Sequence, residues 1–353
     1  MKKTAVIYTP KYLNHNPGRN HPESPERLKI IMKELRHSGL FKTEKCSLVE
    51  PESASVEDLK LVHDLDHITL AKQCCASGGG LLDIGDTVVS PESFEVALLA
   101  VGGAMKAADL VMTREFQNSF AFVRPPGHHA GPYYAMGFCI FNNVAIAASY
   151  LLRNFDLDRI LILDIDAHHG NGTQEIFYET NNVLYISLHQ DPTTFPSTGF
   201  ADEVGKEDGL GYTVNIPFPF HVDDQIYLQA VNQIVVPIIQ QYKPQFILVS
   251  VGFDTHYTDP VAELSLSAFG FLETFARALD LASQFSMGKL VAVLEGGYSP
   301  SFLGRMATAA VAKMAGVPYS IQDERPVANS RIRRQALKTI ENVKRNQSSF
   351  WDL

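Results

Sequence analysis

The chain has 353 residues, of which 45% are hydrophobic and 20% are charged, and its formal net charge at pH 7 is -9. This composition can bury a large core and excludes an intrinsically disordered chain. The acidic balance argues against sequence-independent binding of nucleic acid, which needs a basic surface. The first apolar run ends at Pro10, too early for a signal peptide, and no run approaches the ~20 residues of a membrane helix.

Cysteine usage indicates a reducing compartment. The four cysteines lack the paired spacing of a cysteine zinc site and stand at Cys46, Cys74, Cys75 and Cys139. We therefore expect a cytoplasmic protein with no membrane segment and no direct nucleic-acid partner. A non-classical export route would leave no signal of this kind.

Short apolar runs alternate with longer segments of helical periodicity. The runs are Thr4–Tyr8, Ser119–Val123, Ile160–Ile165, Val183–Leu188, Phe246–Val251 and Leu290–Leu294. The helical segments include Ser93–Met112, Phe141–Asn154 and Asp224–Tyr242. Because several runs are continuous Val, Ile, Leu and Phe, as in strands buried on both faces, the pattern predicts an α/β fold with a central, largely parallel sheet flanked by helices.

Domain organisation is expected to be simple. No linker, repeat or low-complexity tract interrupts the chain, so we expect one domain over residues 1–353. The segment from about 321 to 353 differs, because it is rich in arginine and lysine and ends near the lone Trp351. We interpret it as a solvated helical extension packed on the outside, and a contact with a partner or a second copy of the chain is the alternative.

Polar residues follow four of the predicted strands. These segments are Arg124–His129, Asp164–Gly172, Gly252–Asp254 and Glu295–Tyr298. In open parallel sheets, ligands bind outside the carboxyl ends of the strands. The four segments are therefore expected to form one shared site.

The segment after the third run has the spacing of a metal site. Asp164, Asp166 and His168 alternate, so they point to one side of an extended chain. Two carboxylates and an imidazole placed together need a cation, whereas a helix cap or turn would explain only one of the aspartates. Mixed ligands suit zinc or a similar divalent metal, and a catalytic zinc needs three protein ligands and an open position. Asp166, His168 and the distant Asp254 would supply the three, with Asp164 orienting them.

Two further groups are candidates for acid–base chemistry. The adjacent His128 and His129 follow Pro125-Pro126-Gly127, and a neutral imidazole is a suitable base near neutral pH. Tyr298 follows two glycines, which permit a close backbone approach. Buried tyrosines and lone histidines are more often structural, so these residues gain weight only from their common position.

These motifs together resemble the histone deacetylase and acetylpolyamine amidohydrolase family, in the style of its class II and bacterial members. The strings that carry the resemblance are RPPGHHA (Arg124–Ala130), GFCIFNN (Gly137–Asn143), DIDAHHGNGTQ (Asp164–Gln174) and SLHQDP (Ser187–Pro192). The resemblance extends from His21 to Tyr298, nearly the whole chain. It implies the arginase-like, three-layer α/β fold.

The resemblance also implies roles for individual residues. It makes Asp166, His168 and Asp254 the zinc ligands, His129 the general base and acid, His128 with Asp164 its electrostatic partner, and Tyr298 the donor to the scissile carbonyl. It places Gly137, Phe138 and Phe195 along a narrow apolar slot and Asp86 at the rim. It implies bound potassium at two sites, one formed by Asp164, Asp166, His168, Ser187 and Leu188, the other by Phe177, Thr180, Val183 and Tyr212.

Asn171 departs from the class I pattern, which has an aspartate at this position. A neutral partner removes a charge that would stabilise protonated His129, so the sequence predicts a base less prone to protonation.

The resulting hypothesis is zinc-dependent hydrolysis of acetylated or acylated amines, with acetyl-lysine in proteins or peptides as substrate and acetate as product. An acetylpolyamine or other small acylated amine is the first alternative. Val261, the uncharged residue after Asp259-Pro260, argues against it, because polyamine-selective relatives can carry an acidic residue there. A ureohydrolase of the arginase type is disfavoured by His256, which stands where that family has a metal-binding aspartate. A non-catalytic acyl-lysine binding module is the third alternative, and the complete set of zinc ligands argues against it.

Overall fold

The computed structural model describes residues 2–353 and contains a sheet of eight parallel strands. In chain order these are β1 (Lys2–Ile7), β2 (Cys46–Val49), β5 (Phe116–Ala121), β6 (Ile160–Asp164), β7 (Val183–Gln190), β8 (Thr213–Phe218), β9 (Phe246–Val251) and β10 (Leu290–Leu294). A separate antiparallel pair consists of β3 (Gly80–Leu81) and β4 (Val88–Val89). The order in the sheet is β2-β1-β5-β10-β9-β6-β7-β8. The predicted parallel α/β fold is confirmed.

The sequence predicted the central strands better than the edges. The runs at Phe246–Val251 and Leu290–Leu294 coincide with β9 and β10. The second strand begins earlier than its apolar run indicated, because β5 spans Phe116–Ala121 and the run spans Ser119–Val123. The edge strands β2 and β8 were not predicted. Burial on both faces gives the central strands their continuous apolar composition, and an edge strand carries less of that signal.

Residues 2–353 contain eleven α-helices. They are α1 (Pro25–His37), α2 (Val56–Leu59), α3 (Leu65–Ala76), α4 (Ser93–Met112), α5 (Asn143–Asn154), α6 (Asn171–Phe177), α7 (Asp224–Ala230), α8 (Val236–Tyr242), α9 (Ala268–Phe285), α10 (Leu303–Ala315) and α11 (Ser330–Gln347). Helices α2–α6 form one packed group, and α1 with α7–α11 forms a second. Both groups pack against the sheet, whose strands lie in a continuous buried core.

The predicted helix over Asp224–Tyr242 is interrupted. It consists of α7, a π-helical turn at Val231–Val235, and α8. Pro237 lies in the first turn of α8 and has no N–H to pair with a carbonyl of the preceding turn. The change of helical hydrogen bonding just before it accommodates this missing donor.

The carboxyl-terminal segment forms a helix only from Ser330 onward. Ala336, Ile340 and Val343 of α11 are buried, and the helix packs against the edge strand β8. The arginines of its other face remain largely exposed, and Trp351 donates a hydrogen bond to the Gly211 carbonyl at 2.8 Å. Packing on the outside of the sheet follows from this one apolar stripe. The alternative of a partner contact stays a prediction.

No helix within residues 2–353 combines the length and apolarity needed to cross a bilayer.

Candidate active site

Four neighbouring strands bring the polar segments together. Strands β5, β10, β9 and β6 are adjacent in the sheet, and each predicted polar segment follows one of them. Their carboxyl ends lie at one edge because all of these strands are parallel. The side chains line a cavity of about 360 Å³ that contains His128, His129, Asp166, His168 and Tyr298.

Asp166, His168 and Asp254 form a compact group of metal-binding atoms. His168 Nδ1 lies 3.4 Å from Asp166 Oδ1 and 3.4 Å from Asp254 Oδ2, and the three ligand atoms lie within 4.8 Å of one another. Zinc bonds to nitrogen and oxygen of ~2.0–2.1 Å require edges of about 3.3–3.4 Å in a tetrahedral site. Two of the three distances between ligand atoms, those from His168 to each aspartate, therefore already match a tetrahedral zinc site.

The chemistry of the carboxylates supports the same fit. Asp254 Oδ2 is buried and accepts no hydrogen bond from the residues described, although Asp254 Oδ1 accepts one from Ala167 N at 3.0 Å. Burial, followed by the charge of Asp166, raises the pKa of Asp254 to about 7. A buried oxygen without a donor is costly unless a cation binds it. A divalent cation would stabilise both carboxylates in their ionised form.

Two glycines allow the carboxylates to approach the backbone. Gly296 N donates a hydrogen bond of 2.8 Å to Asp166 Oδ2. A Cβ on Gly296 would lie 2.2 Å from Asp254 Oδ2, and one on Gly252 would lie 2.1 Å from Asp166 Oδ2. Glycine is therefore required at both positions by the space that the ligands occupy.

The adjacent histidines have opposite electrostatic surroundings. His128 Nδ1 lies 3.0 Å from Asp164 Oδ2. Burial alone would lower the pKa of His128, but the carboxylates of Asp164 and Asp166 outweigh it and raise the pKa to about 10. Burial, followed by the charge of His128, holds the pKa of His129 well below its usual value. His128 is thus favoured as the cation and His129 as the neutral base. Two neighbouring groups whose pKa values are shifted in opposite directions can take different acid–base roles.

His129 Nδ1 lies 2.7 Å from Oδ1 of Asn171, the first residue of α6. The predicted pairing of this histidine with an amide rather than a carboxylate is thus the observed contact.

Tyr298 is held at the cavity by its backbone. Its N–H and that of Ser299 donate hydrogen bonds to Asp259 Oδ2 at 2.6 Å and 3.1 Å. The Arg27 guanidinium lies 4.7 Å from the centre of the Tyr298 ring. Burial raises the pKa of Tyr298 well above its ordinary value, against the opposing effect of Arg27, so its hydroxyl remains a proton donor.

Phe138 and Phe195 both line the cavity. Phe195 meets the rings of His129 and His168 edge-on, with centroids 4.9 Å and 5.8 Å away. Gly137 and Phe138 both have left-handed backbones, with φ of 55° and 68°. This conformation is unusual for a phenylalanine and places its ring 6.0 Å from Tyr298.

Asp86 and Val261 also line the cavity, and Asp86 is exposed at the rim. Glu263, two positions after Val261, also lines this cavity, and the sequence did not indicate it. Its N–H bonds to Gln190 Oε1 at 2.8 Å, and its carboxylate lies 3.6 Å from His221 Nε2. A single charged residue after a turn carries no local signal of a site.

A second buried group includes Glu295, which belongs to one of the predicted polar segments but had no role assigned from the sequence. His128, Cys139 and Glu295 have ligand-type atoms within 4.8 Å of one another. Glu295 Oε2 accepts hydrogen bonds from the N–H groups of Gly127 and His128, at 2.6 Å and 3.1 Å. The carboxylate therefore fixes the backbone that presents the two histidines. Glu295 directly follows β10, and a single carboxylate at a strand end gives no sequence signal of this role.

The first implied potassium set lies around the carboxyl ends of β6 and β7, and the second lies near the end of α6 and the start of β8. In the first set, Ser187 pairs with Asp164 across β6 and β7, and its hydroxyl lies 2.8 Å from His189 Nδ1. In the second, the carbonyls of Phe177 and Tyr212 already accept backbone hydrogen bonds, at 3.3 Å from Thr180 N and 2.9 Å from Tyr185 N. Each carbonyl keeps a second lone pair.

The fold and this site define a hydrolytic enzyme of the amidohydrolase type. A model of the histone deacetylase domain matches residues 21–314, and the chain belongs to the histone deacetylase family. It is 43% identical to a probable deacetylase of Archaeoglobus fulgidus, over 99% of this chain and 98% of the relative. It is 38% identical to a histone deacetylase-like amidohydrolase of Pseudomonas aeruginosa, over 86% and 79% of the two chains. The crystal structure of the HDA15 HD domain is similar, with a TM-score of 0.88, 34% identity and coverage of 99% and 95%.

Proposed function

We propose that this deacetylase uses zinc to hydrolyse the amide of acetyl-lysine in proteins or peptides and releases acetate. The observation that carries the proposal is the meeting of Asp166, His168 and Asp254 with His129 and Tyr298 around one narrow cavity. Metal ligands, a neutral base and an oxyanion donor are the three parts that metal-assisted amide hydrolysis requires.

Zinc held by the three ligands would polarise the acetyl carbonyl and lower the pKa of a water toward ~7. His129 accepts the water proton while the water oxygen bonds to the carbonyl carbon. The Tyr298 hydroxyl donates a hydrogen bond to the developing oxyanion. When the carbon–nitrogen bond breaks, His129 returns the proton to the leaving amine. The second water proton leaves with the new carboxyl group and passes to the amine, so the products at neutral pH are acetate and the protonated amine. Asp164 raises the pKa of His128, and the positive charge that His128 would then carry stabilises negative charge in the site.

Phe138 and Phe195 provide apolar surface for the neutral stem of an acylated lysine. Asp86 at the rim offers carboxylate oxygens to backbone N–H groups of a peptide. Uncharged Val261 beside the same mouth adds no attraction for a cationic amine. These three features favour an acyl-lysine substrate.

An acetylpolyamine is the second candidate, and Glu263 is the observation that favours it. Two carboxylates, Asp86 and Glu263, lie at the same mouth and could bind the free ammonium group of a polyamine. A ureohydrolase finds no such support. His256 Nε2 lies 3.0 Å from Asp323 Oδ2, so this side chain pairs with the carboxyl-terminal segment and not with a second metal.

Potassium binding is also part of the proposal. Oxygen donors of Asp164, Ser187 and neighbouring carbonyls suit a hard cation. The fall in thermal stability when potassium is replaced by a larger organic cation at constant ionic strength tests it.

The experiment compares kcat/KM of the zinc-loaded protein on an acetyl-lysine peptide and on acetylputrescine, with Tyr298→Phe as control. A higher kcat/KM on the peptide, with turnover lost in Tyr298→Phe, supports the proposal. Preference for acetylputrescine, together with a rise in its KM in Glu263→Gln, would establish the second candidate. Binding of the peptide without turnover would indicate a binding module instead.

A further inference from the structure

The amide of Asn171 has two different neighbours. Its Oδ1 lies 2.7 Å from His129 Nδ1, and its Nδ2 donates a hydrogen bond of 3.1 Å to the hydroxyl oxygen of Tyr134. An amide can rotate by half a turn and exchange its oxygen and nitrogen at nearly constant shape. Which end faces His129 therefore depends on the partner at the other end.

Tyr134 does not set that direction by itself, because a hydroxyl can both donate and accept. Its proton is committed elsewhere, since it donates a hydrogen bond of 2.6 Å to Glu175 Oε2. An ionised carboxylate only accepts. Burial, followed by the hydrogen bond to Glu175, raises the pKa of Tyr134, so the hydroxyl keeps the proton that it donates.

Local geometry places the Tyr134 hydroxyl between the side chains of Asn171 and Glu175. Asn171 and Glu175 are four residues apart on α6, so they lie on one helix face. Tyr134 comes from a turn closed by a bond of 3.0 Å from Gly131 N to the Tyr134 carbonyl. A Cβ on Gly131 would lie 2.4 Å from the Tyr134 ring, so the ring packs directly on this glycine.

The direction of each hydrogen bond then follows from the one before it. Glu175 accepts the hydrogen bond of the Tyr134 hydroxyl, so the Tyr134 oxygen must accept a hydrogen bond from Asn171 Nδ2. Asn171 Oδ1 consequently faces His129, whose Nδ1 must carry the proton. The lone pair is left on Nε2, the nitrogen that is free to act as a base.

We propose that Tyr134 and Glu175 are positioning residues that set the tautomer of His129 through Asn171. The inference rests on the proposed function for its catalytic meaning, because only a base needs its lone pair on Nε2. Asn171 Nδ2 also lies 3.4 Å from the His129 carbonyl and 3.5 Å from Met136 Sδ. These longer contacts favour the same orientation weakly, so loss of Tyr134 reduces the preference for the active tautomer without abolishing it.

The test reads the tautomer directly. Nitrogen-15 NMR of histidine-labelled protein distinguishes a protonated Nδ1 from a protonated Nε2, and the His129 signals are assigned by their loss in His129→Gln. Wild type should show His129 protonated at Nδ1, both metal-free and zinc-loaded. Tyr134→Phe should shift the population toward protonated Nε2. Glu175→Gln should do so less, because a glutamine amide can present either a donor or an acceptor to Tyr134.

The kinetic readout separates positioning from structural support. In Tyr134→Phe, kcat on the best substrate should fall roughly 2- to 10-fold, the effect of one hydrogen bond, with KM unchanged and the protein still folded. Tyr133→Phe is the matched control, since this neighbouring tyrosine is 69% exposed, and it should change neither the spectrum nor kcat.

A His129 that keeps its proton on Nδ1 in both variants would overturn the inference, even if Tyr134→Phe proves less stable, because Glu175→Gln alters only an exposed carboxylate. A shifted tautomer in a protein that turns over no acylated amine would support the inference and overturn the proposed function. The two failures are therefore distinct.

Discussion

Replacement of Gly296 by alanine should displace the zinc ligands directly. The new Cβ would lie 2.2 Å from Asp254 Oδ2 and 2.6 Å from Asp166 Oδ2. Real Cβ atoms keep at least 3.0 Å, so the two oxygens would have to retreat by roughly 0.8 Å and 0.4 Å. Zinc coordination tolerates about 0.2 Å.

Neither carboxylate is free to move away. Asp254 Oδ1 accepts a hydrogen bond of 3.0 Å from Ala167 N, and Asp166 Oδ1 accepts one of 2.9 Å from His168 N. We therefore expect Gly296→Ala to weaken zinc binding by at least ~10- to 100-fold, the loss typical when contacts that orient a ligand are removed. Activity at limiting zinc should fall in proportion.

Competition with a chromophoric chelator measures the zinc affinity, and thermal unfolding of the metal-free protein checks the fold. Gly85→Ala is the matched control, because a Cβ there meets only the Asp83 side chain, at 3.5 Å or more, and zinc affinity should not change. An unchanged zinc affinity in a folded Gly296→Ala protein would refute the assignment of this glycine and of the ligands beside it.

Three further outcomes are expected. Asn171→Asp should move the acidic limb of the pH profile of kcat/KM to higher pH by about one unit or more, because a carboxylate favours protonated His129 and the base must be neutral; an unmoved limb would contradict the pairing. Tyr298→Phe should lower kcat by ~10²- to 10³-fold with little change in KM, and a loss confined to KM would exclude it as an oxyanion donor. Removal of zinc by a chelator should abolish turnover, and added zinc should restore it; full activity after complete removal would disprove metal dependence.

Local patterns in the sequence were sufficient for the parts of the site that are close together in the chain. Asp164, Asp166 and His168 follow a buried apolar run at alternate positions, and β6 followed by this segment is what the structure contains. The same holds for the paired histidines after β5. In both cases the end of the strand brings the side chains to the site. The extended period itself ends at Asp164, because Asp164 Oδ1 and Asp166 Oδ1 accept hydrogen bonds from the N–H groups of Asp166 and His168 in local turns.

The tertiary structure decided everything that depends on which strands and loops are neighbours. Asp254 reaches His168 only because β9 lies beside β6. The sequence had indicated this ligand by its position after an apolar run and by resemblance to a family, but not its distance from His168. Glu263 at the cavity mouth and the chain of hydrogen bonds from Glu175 through Tyr134 had no sequence signal. Apolar periodicity reports burial of an element along its own length, whereas a polar contact between two elements depends on their separation in space, which a single sequence does not encode as a local pattern.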